Sequence, residues 1–321
     1  MLFIRQGGGR MKKLLWVILA LLLAAGAYAA GAEEGMAVLK ISGGTFQAAL
    51  DAEEIDLGSI ALSDTDADYG ALKAFLRQLT QLKKVDMFST RIKRPRIEEL
   101  AKAFPSLEFG WTMVVPCSNP PHPERTPHLI RTDITAYSTL HNNKCTEHTA
   151  RDLSILRYCK NLLALDIGHN RVDDLSFLYD LPHLKVLIVA CNSDLSDITP
   201  IGSLKELEYL EIFKNNIRDI SCLANCENLV DLNICFNRIS DWSPLYGLKK
   251  LRRLWLYNSN NYSDSSPVPS SAVQALRKAL PECKVDAVSY STEGGWRQHP
   301  RYDTINTMFW GTEYIPFPTL D

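Results

Sequence analysis

A surplus of charge of either sign is missing from this 321-residue chain: 35 Lys and Arg stand against 37 Asp and Glu, a net charge of −2. A surface that neutralises phosphates needs a basic excess, so nucleic acid is not the expected partner. Apolar runs long enough for a comfortable membrane span are lacking too: Leu14 to Ala25 is too short. The C-terminal TEYIPFPTLD shows neither a second hydrophobic segment nor a sorting signal. None of the eight cysteines forms a Cys-x-x-Cys pair, the usual signature of a zinc site. Ser, His and Asp are present, yet no Gly-x-Ser-x-Gly turn or other nucleophile frame holds them. The expectation is a non-catalytic protein with no cofactor and no metal.

What the chain does have is a repeat. LEYLEIFKNNIRDI places Leu207, Leu210, Ile212, Ile217 and Ile220 around Asn215, a spacing that suits neither an amphipathic helix nor a simple alternating strand. The same template recurs upstream as LLALDIGHNRVDDL and LKVLIVACNSDLSDI, and downstream as LVDLNICFNRISDW and LRRLWLYNSNNYSD. Asn170, Asn192, Asn215 and Asn237 hold one slot, which Ser259 takes in the last copy. One extra residue between Asn192 and Leu195 predicts a small bulge in the second copy.

A period near 22 residues with this signature resembles the short, internalin-like leucine-rich repeats of secreted bacterial proteins, over Asp152 to Asp264. The RTDITAYSTLH block and the aromatic C-terminal end are similar to secreted repeat proteins of gut Firmicutes, a resemblance that carries no activity. The fold expected is an α/β leucine-rich repeat solenoid with a concave parallel sheet, helical repeat-like units at its N-terminal end and a C-terminal cap. In each copy the strand alternates, so Leu210 and Ile212 point inward while Tyr209, Glu211 and Phe213 face outward. The Asn column should satisfy backbone groups that the turn leaves unpaired. Thr199-Pro200 and Ser243-Pro244 read as caps followed by Pro at the first position of short helical turns on the convex face.

Lys12 and Lys13 precede the apolar run, and Ala27-Tyr28-Ala29 follows it, which matches a secretory signal peptide over residues 1–29 with an expected start at Met11. Its removal takes away Arg5, Arg10, Lys12 and Lys13 and leaves a net charge of about −6. A secreted monomer is expected, with an uncleaved N-terminal anchor as the alternative and the only contact with a membrane. Cys159 and Cys226 share a slot three copies apart, about 14 Å at roughly 4.8 Å per strand, too far to pair. Free thiols acting as small buried hydrophobes are therefore expected rather than a disulfide framework.

Residues 36–151 read as irregular strand-helix units that begin the same solenoid and cap its edge, with strands near Ile55 to Leu62, at Leu82 to Thr90 and at Ser106 to Val115, and helices over Gly70 to Leu82 and Arg94 to Phe104. After the Pro-rich stretch Pro116 to His128, Leu129 to His141 restores a strand and His148 to Cys159 a helix. Residues 152–264 hold the five regular copies, and residues 265–321 a cap in which Ser270 to Tyr290 mirrors the N-terminal units and the segment from Arg297 folds back over the last repeats.

Two constellations have metal-binding residue types. Cys117, His122, His141, Cys145 and His148 cluster in one stretch, and Asp64 to Gly70 resembles the start of a calcium loop. The first reads as a polar loop; the second has its Gly one place late and Phe75 where a Glu is needed, and reads as a solvated turn. The outward row of strand positions carries the binding expectation. Asp166, Ile188, Tyr209, Glu211, Phe213, Asp231, Asn233, Arg253, Trp255 and Tyr257 combine aromatic anchors with charge, as protein interfaces do. A protein ligand on the concave sheet is the leading expectation. A carbohydrate or cell-wall ligand is the second, and a metal-binding or hydrolytic loop at residues 117–148 the third. The structural alternative is that the C-terminal tail, with Trp296, Phe309 and Trp310, folds onto this face and hides it.

Overall fold

The computed structural model describes residues 35–58, 60–116, 128–143, 147–258 and 267–318, so residues 1–29, where a signal peptide is expected, most of the Pro-rich stretch and Ser259 lie outside the described residues. The coil that starts at Leu207 shows how the repeat folds. Leu207, Leu210, Ile212, Ile217 and Leu223 have no exposed surface, and each sits where the template puts an apolar residue. After the strand, Lys214 takes a left-handed backbone with φ 56°, as do His169, Cys191, Phe236 and Asn258 in the other coils. The cost of that conformation for a residue with a Cβ is met by the neighbouring coil. His169, Cys191, Lys214 and Phe236 each donate a backbone N–H to a carbonyl one coil on, at 2.8 to 2.9 Å.

Asn215 occupies the inside of that turn. Its Oδ1 accepts from Asn192 N at 2.7 Å, and its Nδ2 donates to Val189 O and Ile212 O, both at 2.9 Å. Asn170, Asn192 and Asn237 bond in the same manner, which makes the expected ladder. The convex turns are short 3₁₀ helices at Ser154–Tyr158, Ser176–Asp180, Thr199–Ser203, Ser221–Asn225 and Ser243–Leu245. Their caps differ from expectation. Thr199 and Ser243 do not cap by side chain; instead Asp174, Asp197, Asp219 and Asp241 accept from the backbone N–H two residues on, at 2.7 to 2.9 Å. Asp and Asn favour this local turn, so one Asp starts each of the four turns from Ser176 onward.

Strands β7 (Ala136–Ser138), β8 (Ala164–Asp166), β9 (Val186–Ile188), β10 (Tyr209–Glu211), β11 (Asp231–Asn233), β12 (Arg253–Trp255) and β13 (Lys284–Asp286) form one parallel seven-stranded sheet in sequence order. The register is unshifted, as in Leu187, Leu210, Leu232 and Leu254 side by side. This is an α/β leucine-rich repeat solenoid. Helix α4 (Ser270–Ala279) precedes β13 and supplies the last coil.

The N-terminal units depart from expectation in one respect: they do not continue that sheet. A hairpin, β1 (Met36–Ile41) and β2 (Gly44–Ala49), leads to β3 (Glu54–Asp56), β4 (Lys84–Arg91), β5 (Glu108–Val115) and β6 (His128–Arg131), a separate four-stranded sheet. Helices α1 (Asp66–Leu76) and α2 (Arg94–Ala103) cross between its parallel strands, whereas β6 returns antiparallel to β5. The segment from Leu129 to His141 is thus two strands in two sheets, and not one. Over His148 to Cys159 the helix is α3 (Ala150–Leu153), one turn passing into the 3₁₀ segment. One apolar core still runs inside both sheets, from Ala37 to Val285.

The acidic stretch at Asp64 to Gly70 opens α1. Thr65 caps it, Asp64 pairs with Lys93 at 2.7 Å and Arg96 at 3.0 Å, and Asp68 accepts from Ser42 N and Ser63 N. The six described cysteines carry free thiols, and burial pushes Cys159 up to about 12; Cys117 and Cys145 lie outside the described residues. Replacing Asn215 by Ala strands the Asn192 N–H inside the coil and takes one of two side-chain donors from Val189 O and from Ile212 O. The expected loss is about 1–3 kcal/mol in urea unfolding, and an unchanged midpoint would contradict the ladder.

The concave sheet and its C-terminal cover

On the concave side the sheet meets a second apolar core, separate from the one inside the solenoid. Ala164, Val186, Tyr209, Phe213, Trp255 and Ala190 supply the sheet side; Trp296, Ile305, Met308 and Phe309 supply the other. These last come from the C-terminal segment, which contains a 12-residue helix, α5 (Pro300–Gly311), with Pro300 in its first turn and His299 at its N-cap. The cover crosses the whole sheet. Ala136 N of β7 donates to Thr312 O at 3.2 Å, and Tyr314 N donates to Thr135 Oγ1 at 2.8 Å.

Asp231 lies at the centre with no exposed surface. Its Oδ1 accepts from Arg253 Nε of the next strand and its Oδ2 from Arg301 Nε of α5, both at 2.5 Å. A carboxylate gripped by two guanidinium groups makes charge-assisted bonds on both oxygens, which is what tolerates an ion out of water. Arg253 also lies 4.5 Å from the Trp296 ring centroid and donates from Nη1 to Trp296 O at 3.2 Å. One strand back, Glu211 Oε1 accepts from Trp296 Nε1 at 2.8 Å and from the Tyr209 hydroxyl. Trp255 Nε1 donates to Glu293 O at 2.9 Å, and Asn233 Nδ2 to Ser291 O at 3.1 Å. Burial pushes the Glu211 carboxyl up, against the two hydrogen bonds it accepts. Asp166 is pushed up for the same reason, although Gly168 N and Ser138 Oγ donate to it.

The expectation that the outward row faces solvent is therefore overturned. Asp166, Tyr209, Glu211, Phe213, Asp231, Asn233, Arg253 and Trp255 are buried, while Ile188 and Tyr257 keep partial exposure. The physical reason is the cover, whose reach extends to the first strands as well as the last repeats. Sequence reasoning flagged Trp296 and Phe309 as tail residues but missed Arg301, which is 3% exposed. Its signal is faint: one of two arginines in an aromatic segment, opposite an outward Asp. On the outer side of the cover, Trp310 remains 70% exposed.

Of the candidate metal loop only His141 and His148 are described. Cys117, His122 and Cys145 lie outside the described residues. His148 is buried with Nδ1 2.7 Å from Pro116 O, and His141 Nδ1 is 3.0 Å from Ser138 Oγ. Among the described residues no group of three or more His, Cys, Asp or Glu is placed to hold a metal ion. No helix among them is long and apolar enough to cross a membrane.

Comparison with known proteins agrees with the repeat geometry. Residues 227–270 match a family of paired leucine-rich repeats. The chain is 36% identical over 98 residues to leucine-rich repeat-containing protein 56 of Mus musculus, which covers 30% of this chain and 18% of that relative's length. Among solved structures, an internalin (inlF) of Listeria monocytogenes is 16% identical with a TM-score of 0.36, covering 69% of this chain and 70% of that one. Internalin C2 of the same organism is 20% identical with a TM-score of 0.31, covering 63% of this chain and 80% of its own.

Two outcomes follow from the buried charges. Arg301→Ala leaves Asp231 with one partner in a dry site, so a loss of about 3–5 kcal/mol is expected in urea unfolding, with a red shift of tryptophan emission as Trp296 wets. A change below about 1 kcal/mol would contradict the pairing. Glu211 loses its contribution as pH rises from its ordinary value of 4.5 through its raised folded value. Glu211→Gln keeps an acceptor for Tyr209 and Trp296, so the variant should gain on the wild type as pH rises above 4.5 in paired unfolding curves.

Proposed function

We propose that this leucine-rich repeat protein is an exported, non-catalytic recognition protein for a protein partner, and that its concave sheet is a receptor for a helical segment which the chain's own C-terminal segment fills. The observation that carries this reading is the chemistry of the cover. Trp296 enters as a fully buried anchor, Arg301 as a desolvated cation matched to Asp231, and polar bonds at Glu211 and Asn233 set the register. Buried Trp and Arg anchors are how protein interfaces concentrate affinity. An outside protein reaches Asp166, Tyr209, Glu211, Asp231, Arg253 and Trp255 by displacing that segment. Export rests on Lys12 to Ala29, with its basic start, apolar run and small-residue end. Catalysis gains no support from the sheet, where Asp231 is held by two arginines and Glu211 by Tyr209 and Trp296.

The test uses the full chain carrying Trp296→Ala and Arg301→Ala, which weakens the cover and leaves the sheet intact. A synthetic peptide of residues 291–318 should bind this variant with a Kd of about 10 μM or tighter and the wild type far more weakly. Proteins captured from native culture extracts by the variant should be competed off by the peptide. Global unfolding of the variant, or capture that the peptide does not affect, would overturn the reading.

A further inference from the structure

Where the seven-stranded sheet begins, the solenoid has a seam. Strand β6 closes the four-stranded sheet, and no ladder joins it to β7. On the helical side the coils stay together, because Arg94 donates from Nη1 to Arg151 O and from Nη2 to Ser154 Oγ, each at 2.5 Å. On the strand side the seam opens into a cleft of about 640 Å³, a size typical of small-molecule sites.

Its lining gathers polar atoms that lack partners. Trp111 is 2% exposed and its Nε1 has no acceptor, Asp86 Oδ1 has no donor, and Arg157 Nε has no aligned acceptor among the described residues. Buried donors and acceptors are nearly always paired in folded proteins, so two orphans on one cleft, Trp111 Nε1 and Asp86 Oδ1, point to a group that is supplied from outside. Charge narrows its nature. Arg131 pairs with Asp133 at 2.7 Å, Lys84 with Asp86 Oδ2 at 3.4 Å, and Arg157 and Lys160 with Asp180 at 3.4 and 3.3 Å. Each cation of the lining is thus already paired, so an anionic ligand would have to break a pair to enter, while Asp56 and Glu108 add acceptors outside those pairs. The cleft also has an aromatic side: Trp111 stacks on Phe109 at 4.8 Å and meets the edge of the half-buried Tyr158 at 5.1 Å, with half-buried Phe104 beside them.

We propose that this cleft binds a neutral polyhydroxylated ligand, a saccharide unit, independently of the concave sheet. A hydroxyl both donates and accepts, so neighbouring hydroxyls satisfy Asp86 Oδ1 and Trp111 Nε1 without a change in charge. The carbon–hydrogen face of the ring packs on Tyr158 and Phe104.

The experiment is fluorine NMR of the full chain labelled with 5-fluorotryptophan, the Trp111 resonance being assigned from Trp111→Phe. Maltose, cellobiose and N,N′-diacetylchitobiose are the probes, with N-acetylglycinamide as the neutral amide control. At least one disaccharide should shift the Trp111 signal saturably at millimolar concentration while the Trp255 and Trp296 signals stay in place. Asp86→Ala, on a half-exposed side chain, should weaken that binding about tenfold. No shift with any of the three up to about 50 mM would overturn the proposal. So would an equal response to N-acetylglycinamide, or an Asp86→Ala variant with unchanged affinity.

Discussion

Asp231 has no exposed surface and a guanidinium group on each oxygen, and the concave half of the molecule is arranged around that carboxylate. A buried ion without partners costs several kcal/mol, so the sheet cannot leave Asp231 with Arg253 alone and stay dry. Arg301 supplies the second partner. To bring it there the chain must lay α5 across the strands, which in turn places Trp296 on Arg253 and Glu211, and Met308 and Phe309 on the small residues Ala136, Ala164 and Ala190. The small side chains at the first strands and the aromatic ones at the later strands thus fit one tapered occupant.

The rigidity of that platform comes from the other side of the sheet. The coils at Asn170, Asn192, Asn215 and Asn237 each repeat a left-handed residue, an inward Asn and an Asp-started 3₁₀ turn, and each device spends its hydrogen bonds on a neighbouring coil or on its own turn. The unshifted register keeps Leu187, Leu210, Leu232 and Leu254 abreast. Outward neighbours such as Tyr209, Asp231 and Arg253 are therefore abreast too, which fixes the distances on which the buried charges depend.

How much of this was legible in the sequence follows from how local each cause is. The Asn slot, the inward leucines and the strand positions are set within one coil, and their period shows in the letters. The break between sheets is not local: it follows from β6 returning antiparallel, and nothing in Leu129 to His141 marks where one strand ends and another begins. Helix α5 was harder still. It buries Arg301 as well as Ile305, Met308 and Phe309 and leaves Trp310 in solvent, so it lacks the apolar stripe by which a surface helix announces itself. The interface character of the outward row could be read from its aromatics and charges. Its occupant could not, because Arg301 and Asp231 lie 70 positions apart.

Hydrogen exchange on the full chain tests the covered sheet most directly. The amides of residues 300–311 should be protected together with those of β10 to β12 and should open with them or shortly before them. Free exchange in that helix, with the strands still protected and Trp255 and Trp296 open to an aqueous quencher, would contradict the cover and return the concave sheet to solvent.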